Sequence, residues 1–203
     1  MKDEKLYLYP IWVRLWHLTN AVLYLILIIT GLSLQYSSKE FTLISFQTSV
    51  SLHNIAGIIL CINYIFYLTG NRFTSNGMYY QFPLKGMFER VWKQFMYYTI
   101  GTFKGEPTPY PVSMKQKFNP LQKLTYVIVM YMFMPAIIVT GLGLFFPDIL
   151  PDRILGINGI HLTDLLHIIV GFGLSVFMVI HIYFCTFGKT PWTNFKSMIN
   201  GWH

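Results

Sequence analysis

Two histidines stand inside one apolar stretch that is long enough to cross a bilayer. Residues Leu162 to Phe187 read LTDLLHIIVGFGLSVFMVIHIYFCTF, apolar apart from Asp164, His167 and His181. A stretch of about 20 apolar residues or more is a membrane-spanning helix, and an imidazole placed in hydrocarbon calls for a partner. His167 and His181 are 14 residues apart. At about 100° per residue they fall roughly 40° short of four full turns, so both rings leave nearly the same face. Their separation along the axis is about 21 Å, against a hydrocarbon thickness of about 30 Å. One ring therefore belongs to each leaflet, a spacing suited to two metal centres hung one above the other from a single helix.

Three further stretches have the same character, which gives expected helices at about 13–36, 48–69, 120–146 and 161–187. Only 11% of the residues are charged and 54% are hydrophobic, whereas soluble domains carry about 25% charged residues. The expected fold is an all-α membrane protein, an up-down-up-down four-helix transmembrane bundle spanning 1–203 as a single domain. The net charge of +7 reads as basic membrane-flanking loops rather than a nucleic-acid surface. Cys61 and Cys185 are isolated in apolar segments, so neither a disulfide framework nor a zinc site follows. With no Cys-x-x-Cys-His, a haem here is held by ligation and packing. The first apolar stretch is too long for a signal-peptide core and reads as a retained helix.

Tyr9 and Trp12 are expected at headgroup level. The one long connection, 70–118, contains a segment (83–103) in which Met87, Val91 and Phe95 are spaced against Lys85, Glu89 and Lys93. It reads as an additional amphipathic helix lying on the membrane surface. The three prolines between Glu106 and Val112 make that part irregular. In the third crossing Pro135 predicts a kink, and Gly141 and Gly143 predict close packing. Of the 15 lysines and arginines, only Lys39 and Arg153 fall on the side opposite the termini and the long connection. Both termini are therefore expected in the cytoplasm, in a multi-pass protein of a prokaryotic inner membrane.

That orientation fixes the depth of each ring. His53, early in the second helix, and His167, early in the fourth, both fall in the outer leaflet. His17, early in the first, and His181, late in the fourth, both fall in the inner leaflet. Each level thus offers two imidazoles from different helices. Zinc usually wants three or four protein ligands, whereas a porphyrin brings four nitrogens and leaves two axial positions. The expected metal ligands are accordingly His17, His53, His167 and His181, holding two haem b groups. Gly57 and Gly171 each follow a histidine by four residues, which keeps a side chain off the face where a flat macrocycle would lie. Arg14, one turn before His17, reads either as the partner of a haem propionate or as a basic residue flanking the membrane. Arg153 or Lys39 would serve the outer group. His161 reads as interfacial or as standing near the outer haem edge, Asp164 as capping or solvating the start of the last helix, and His203 as a terminal residue with nothing attached to it.

Arg14-x-x-His17, His53-x-x-x-Gly57 and the His167/His181 spacing resemble the dihaem cytochrome b subunit family. That family includes the gamma subunit of formate dehydrogenase-N, the cytochrome b of nickel-iron hydrogenases and thiosulfate-reductase-type cytochrome b subunits. The resemblance covers nearly the whole chain and implies the same histidine pairing. It also implies a Lys-x-Asn motif, here Lys117-Phe118-Asn119, in which Asn119 and the residue two further on, Leu121, line a menaquinone pocket beside the inner haem. The family often has a small residue where this chain has Leu121. Asn119 also suits a helix N-cap, since Pro120 follows it.

The implied function is that of a membrane-embedded cytochrome b subunit of a respiratory redox complex. It would move electrons between an outer-face partner, an iron-sulfur protein or multihaem cytochrome c, and menaquinone or ubiquinone, with substrate catalysis on another subunit. The alternative is a stand-alone transmembrane haem reductase passing electrons to a soluble acceptor such as ferric iron. A metal transporter would need acidic residues within the helices, and Asp164 alone stands at an edge. A purely structural anchor leaves the four histidines unexplained.

Overall fold

Four helices are long and apolar enough to cross a membrane: Ile11–Tyr36, Phe46–Phe73, Pro120–Phe145 and Gly159–Cys185. The structure, a computed structural model, describes residues 6–38, 42–81, 83–188 and 190–203. Lys2, Lys5, Lys39 and Lys189, which enter the charge distribution above, lie outside the described residues. The first two crossings are α1 (Ile11–Tyr36) and α2 (Phe46–Phe73). They are followed by the surface helix α3 (Met87–Met96), the third crossing in two pieces, α4 (Pro120–Ile128) and α5 (Met134–Phe145), the fourth crossing α6 (Gly159–Cys185), and a short α7 (Thr193–Asn200). The core draws on every crossing: Trp16, Leu23 and Tyr24 meet Ala56, Leu60, Tyr64, Tyr67, Val129, Met130, Met134 and Leu174. Large apolar residues such as Leu18, Ile62, Val139 and Val179 stay on the outside, as befits helices whose outer solvent is lipid.

α2 runs four residues past its expected end at 69. Gly70 and Asn71 look like helix breakers, yet both have tertiary work. Gly70 lies under the Trp12 indole, so a Cβ there would stand 2.6 Å from the ring. The Asn71 Oδ1 accepts from the Asn76 Nδ2 at 2.7 Å. Trp12 thus packs against α2, edge-on to Phe66. Replacing Gly70 with alanine gains about 1 kcal/mol of helix propensity, against about 1–3 kcal/mol for overpacking a rigid ring. We expect a lower melting temperature in detergent for Gly70→Ala, with the secondary structure retained.

The third crossing bends as Pro135 requires, through a π-helical turn at Val129–Phe133. In that wide register the Pro135 nitrogen falls opposite the Met130 carbonyl and has no hydrogen to give it. The Tyr64 hydroxyl donates to this carbonyl instead, at 2.7 Å, which satisfies in hydrocarbon a group that no water can reach. Gly143 brings the third and fourth crossings together: a Cβ there would lie 3.3 Å from Thr163 Cγ2.

The surface helix is shorter than the 83–103 segment. Gly86, at φ 67°, delays its start to Met87, and a π turn at Tyr97–Gly101 ends it. Its protein-facing side is centred on the buried Gln94, so Phe95 joins Phe88 and Trp92 in an exposed stacked ridge. The apolar repeat of Met87, Val91 and Phe95 therefore mixes the two faces.

The two ends of the chain pair. Leu6 and His203 exchange backbone hydrogen bonds at 2.9 Å each way, and the Tyr7 and Trp202 rings pack at 5.1 Å. His203 is thus tied to the fold rather than idle. At the opposite end a hairpin pairs β1 (Arg153–Ile154) with β2 (Ile157–Asn158). Leu155 at φ 52° and Gly156 at φ 82° form its turn, the left-handed pair that matches strand twist. α6 begins at Gly159, with Asn158 as its cap accepting from the His161 N–H at 3.2 Å. Asp164 is not the cap. It is exposed in the second turn, because the polar Asn158-Gly159 pair starts the helix before the apolar run does.

Candidate metal centres

His53 on α2 faces His167 on α6, with ring centres 6.2 Å apart. His17 on α1 faces His181 on α6, with ring centres 6.1 Å apart. The uninterrupted helix between Gly159 and Cys185 carries one member of each couple. A metal bound end-on by two imidazoles needs two bonds of about 2.0 Å plus about 1 Å from each nitrogen to its ring centre, or roughly 6 Å. Both couples have that spacing. Among the described residues no group of three or more His, Cys, Asp or Glu could hold a metal ion, so each couple supplies two ligands and no more. A porphyrin provides the other four.

The glycines respect such a group. A Cβ on Gly57 would meet no atom within 4 Å, and one on Gly171 only Ile137 Cδ1, at 3.7 Å. Two other glycines lie closer to the rings: a Cβ on Gly31 would stand 3.4 Å from His53 Cε1, and one on Gly141 would stand 3.1 Å from His167 Cε1. The residue before each is a threonine. Thr30 Oγ1 lies 2.9 Å from His53 Nδ1, and Thr140 Oγ1 lies 3.0 Å from His167 Nδ1. At the inner couple the Tyr126 hydroxyl stands 3.4 Å from His181 Nδ1, and Phe177 stacks on the His181 ring at 5.6 Å.

Arg14 is half-buried one turn before His17, and its Nε is buried with no hydrogen-bond partner among the described residues. Close by, the Lys117 side chain is 4% exposed. Its ammonium donates to Asn76 Oδ1 at 3.2 Å and lies 4.2 Å over the Tyr9 ring. Burial lowers the Lys117 pKa to about 8 and raises that of Tyr9 to about 12, with Cys185 and Tyr80 adding to the Tyr9 shift. Tyr9, like Trp12, thus packs inward, and it brings the N-terminal segment against the His181 end of α6.

Asn119 is the N-cap of α4 in a full capping box with Gln122, and Pro120 follows it at the first helical position. Its Nδ2 also donates to the Tyr98 hydroxyl at 2.8 Å. The Tyr98 ring packs against Phe184 at 4.9 Å, less than one turn beyond His181. Leu121 is half-buried in the first turn of α4. Arg153 is exposed on the hairpin, and His161 is exposed at the start of α6.

Thr30, Thr140, Tyr98 and Tyr126 are site neighbours that the amino-acid sequence did not single out, and Lys117 was named only as part of the Lys-x-Asn motif. The available signal was the Thr-Gly dipeptide, but it occurs three times. At Thr69-Gly70 the threonine bonds its own helix and the glycine meets Trp12.

Paired imidazoles carried by crossing apolar helices are the equipment of a membrane cytochrome. The chain belongs to the prokaryotic cytochrome b561 family, whose sequence pattern it matches over residues 8–201. It is therefore a multi-pass, haem-b-binding electron-transfer protein. A relative in Escherichia coli (strain K12), named "Putative cytochrome YdhU", is 36% identical over 200 residues, which is 98% of this chain and 75% of the relative. No solved structure matches the chain.

Proposed function

We propose that this chain is the membrane subunit of a respiratory redox complex and carries electrons between a partner on the outer face and a membrane quinone. His53 and His167 would hold one haem b in the outer leaflet, and His17 and His181 a second in the inner leaflet. The observation that carries this reading is the common ring spacing of 6.2 and 6.1 Å in two couples drawn from three different helices. Bound haem supplies one-electron iron chemistry. The chain's own residues hold and orient it, and the bundle excludes water from it.

Arg14 offers its unpartnered Nε to a propionate of the inner haem, and Gly57 and Gly171 keep the macrocycle faces clear. The grouping of basic residues at the end with the paired termini supports a cytoplasmic position for that end, in a prokaryotic inner membrane. The connections at the other end are short, so a separate subunit would dock there: an iron-sulfur protein or multihaem cytochrome c working with a catalytic subunit.

Menaquinone or ubiquinone would exchange electrons at the inner end, beside Asn119 and Leu121. The hydrogen bond from Asn119 to Tyr98, and the packing of Tyr98 on Phe184, link that loop to the His181 end of α6. Reduced-minus-oxidised spectra should show two b haems per chain that reoxidise with a quinone analogue. Asn119→Ala is expected to lose about 1 kcal/mol of capping and to slow that reoxidation tenfold or more with both haem bands in place. An unchanged rate would leave Asn119 a cap alone.

A further inference from the structure

Each histidine of the outer couple meets a threonine on a helix that is not its own, and His167 also bonds the Ile137 backbone. Thr30 on α1 reaches His53 on α2, and Thr140 on α5 reaches His167 on α6. A threonine hydroxyl has one hydrogen and two acceptor lone pairs. In both residues the hydrogen is taken by the preceding turn: Thr30 Oγ1 donates to the Ile26 carbonyl and Thr140 Oγ1 to the Ala136 carbonyl, each at 2.7 Å. What remains toward the imidazole is a lone pair. The ring nitrogen facing it must be the donor, so Nδ1 carries the proton and Nε2 keeps its own lone pair. The glycine after each threonine lets the ring lie against the helix, since a Cβ would press on Cε1.

We propose that Thr30 and Thr140 are positioning residues of the outer centre, each accepting the Nδ1–H of its histidine and so fixing the tautomer, orientation and donor strength of that ligand. The inference rests on the ligation proposed above. A ligating histidine that donates its second N–H becomes a more basic ligand, and a more basic axial pair favours ferric over ferrous iron, which lowers the reduction potential. Among the described residues the inner couple has no such threonine. Its nearest counterpart is the Tyr126 hydroxyl at 3.4 Å from His181, so the effect belongs to one haem.

The test is a redox titration of the purified, haem-loaded chain, read at the b-type absorbance band, for Thr30→Val, Thr140→Val, the double variant, Thr30→Ser and Thr140→Ser. Valine keeps the shape and removes the acceptor, whereas serine keeps the acceptor. The expected result is a rise in the midpoint of one titration wave in each valine variant, a larger rise in the double variant, an unmoved second wave, and recovery with serine. Loss of one haem with valine and its return with serine supports the same role. Unmoved waves at two haems per chain overturn the inference, as does loss of haem with valine and serine alike, which would make the packing of the whole threonine side chain, and not its acceptor oxygen, the requirement. His53→Ala serves as the control: if both haem bands survive it, the ligation reading itself falls, whatever the threonine variants do.

Discussion

Replacing His53 or His167 with alanine is expected to remove one b haem and to leave the other, halving the haem content per chain. The two variants should lose the same haem. His17→Ala and His181→Ala should each lose the one that remains. The pairing follows from geometry: the rings meet as His53 with His167 and His17 with His181, and a haem that such a couple would hold loses half of its protein ligands when one ring is removed. The readout is the alkaline pyridine haem assay beside the low-temperature difference spectrum, which separates the two bands. If His53→Ala and His167→Ala lose different haems, the couples are wrongly drawn. If single variants retain both haems, the rings are packing residues. The fold should survive these changes, because the histidines are only partly buried and lie outside the cluster centred on Tyr67 and Met134.

The second large effect concerns Lys117. Its ammonium is buried among Tyr9, Tyr79 and Phe118, and burial lowers its pKa from 10.5 to about 8. Below pH 8 the lysine is protonated in folded and unfolded chains alike, and the fold bears the full penalty of a desolvated charge. Between about 8 and 10.5 the unfolded chain holds more protons than the folded one, so stability rises with pH across that window. The size is on the order of 3 kcal/mol. Lys117→Met should abolish this rise and melt higher than the parent at pH 7, provided the Asn76 carbonyl left behind finds another donor. Tyr9 and Tyr80, both raised to about 12, stay neutral throughout and contribute nothing to the slope. Equal pH slopes in the two proteins would mean that Lys117 is solvated.

Hydropathy and helical period were enough to read the four crossings and their order from the amino-acid sequence, because these depend on local properties of the chain. Transfer of each segment into lipid is decided residue by residue. The 14-residue interval between His167 and His181 has one meaning on a helix, since α6 is continuous. Other readings failed where a residue's fate depended on its neighbour across the bundle. Gly70 and Asn71 looked like an end of α2 and are its interior, because Trp12 and Asn76 meet them. Asp164, read as capping or solvating the start of α6, is exposed in its second turn, and the cap is Asn158. His203 looked idle and is bonded to Leu6.

The amino-acid sequence by itself determined that this chain is a four-helix membrane protein with two pairs of imidazoles at matched depths, since depth is fixed by distance along a helix and by where the charges lie. Only the tertiary structure decided which side chains stand behind those imidazoles. Whether Thr30 meets His53, Thr140 meets His167 or Tyr64 reaches the Met130 carbonyl depends on how far each helix is rotated and how it crosses its neighbour. That rotation is set by packing between helices in a lipid solvent that does not itself distinguish one apolar face from another.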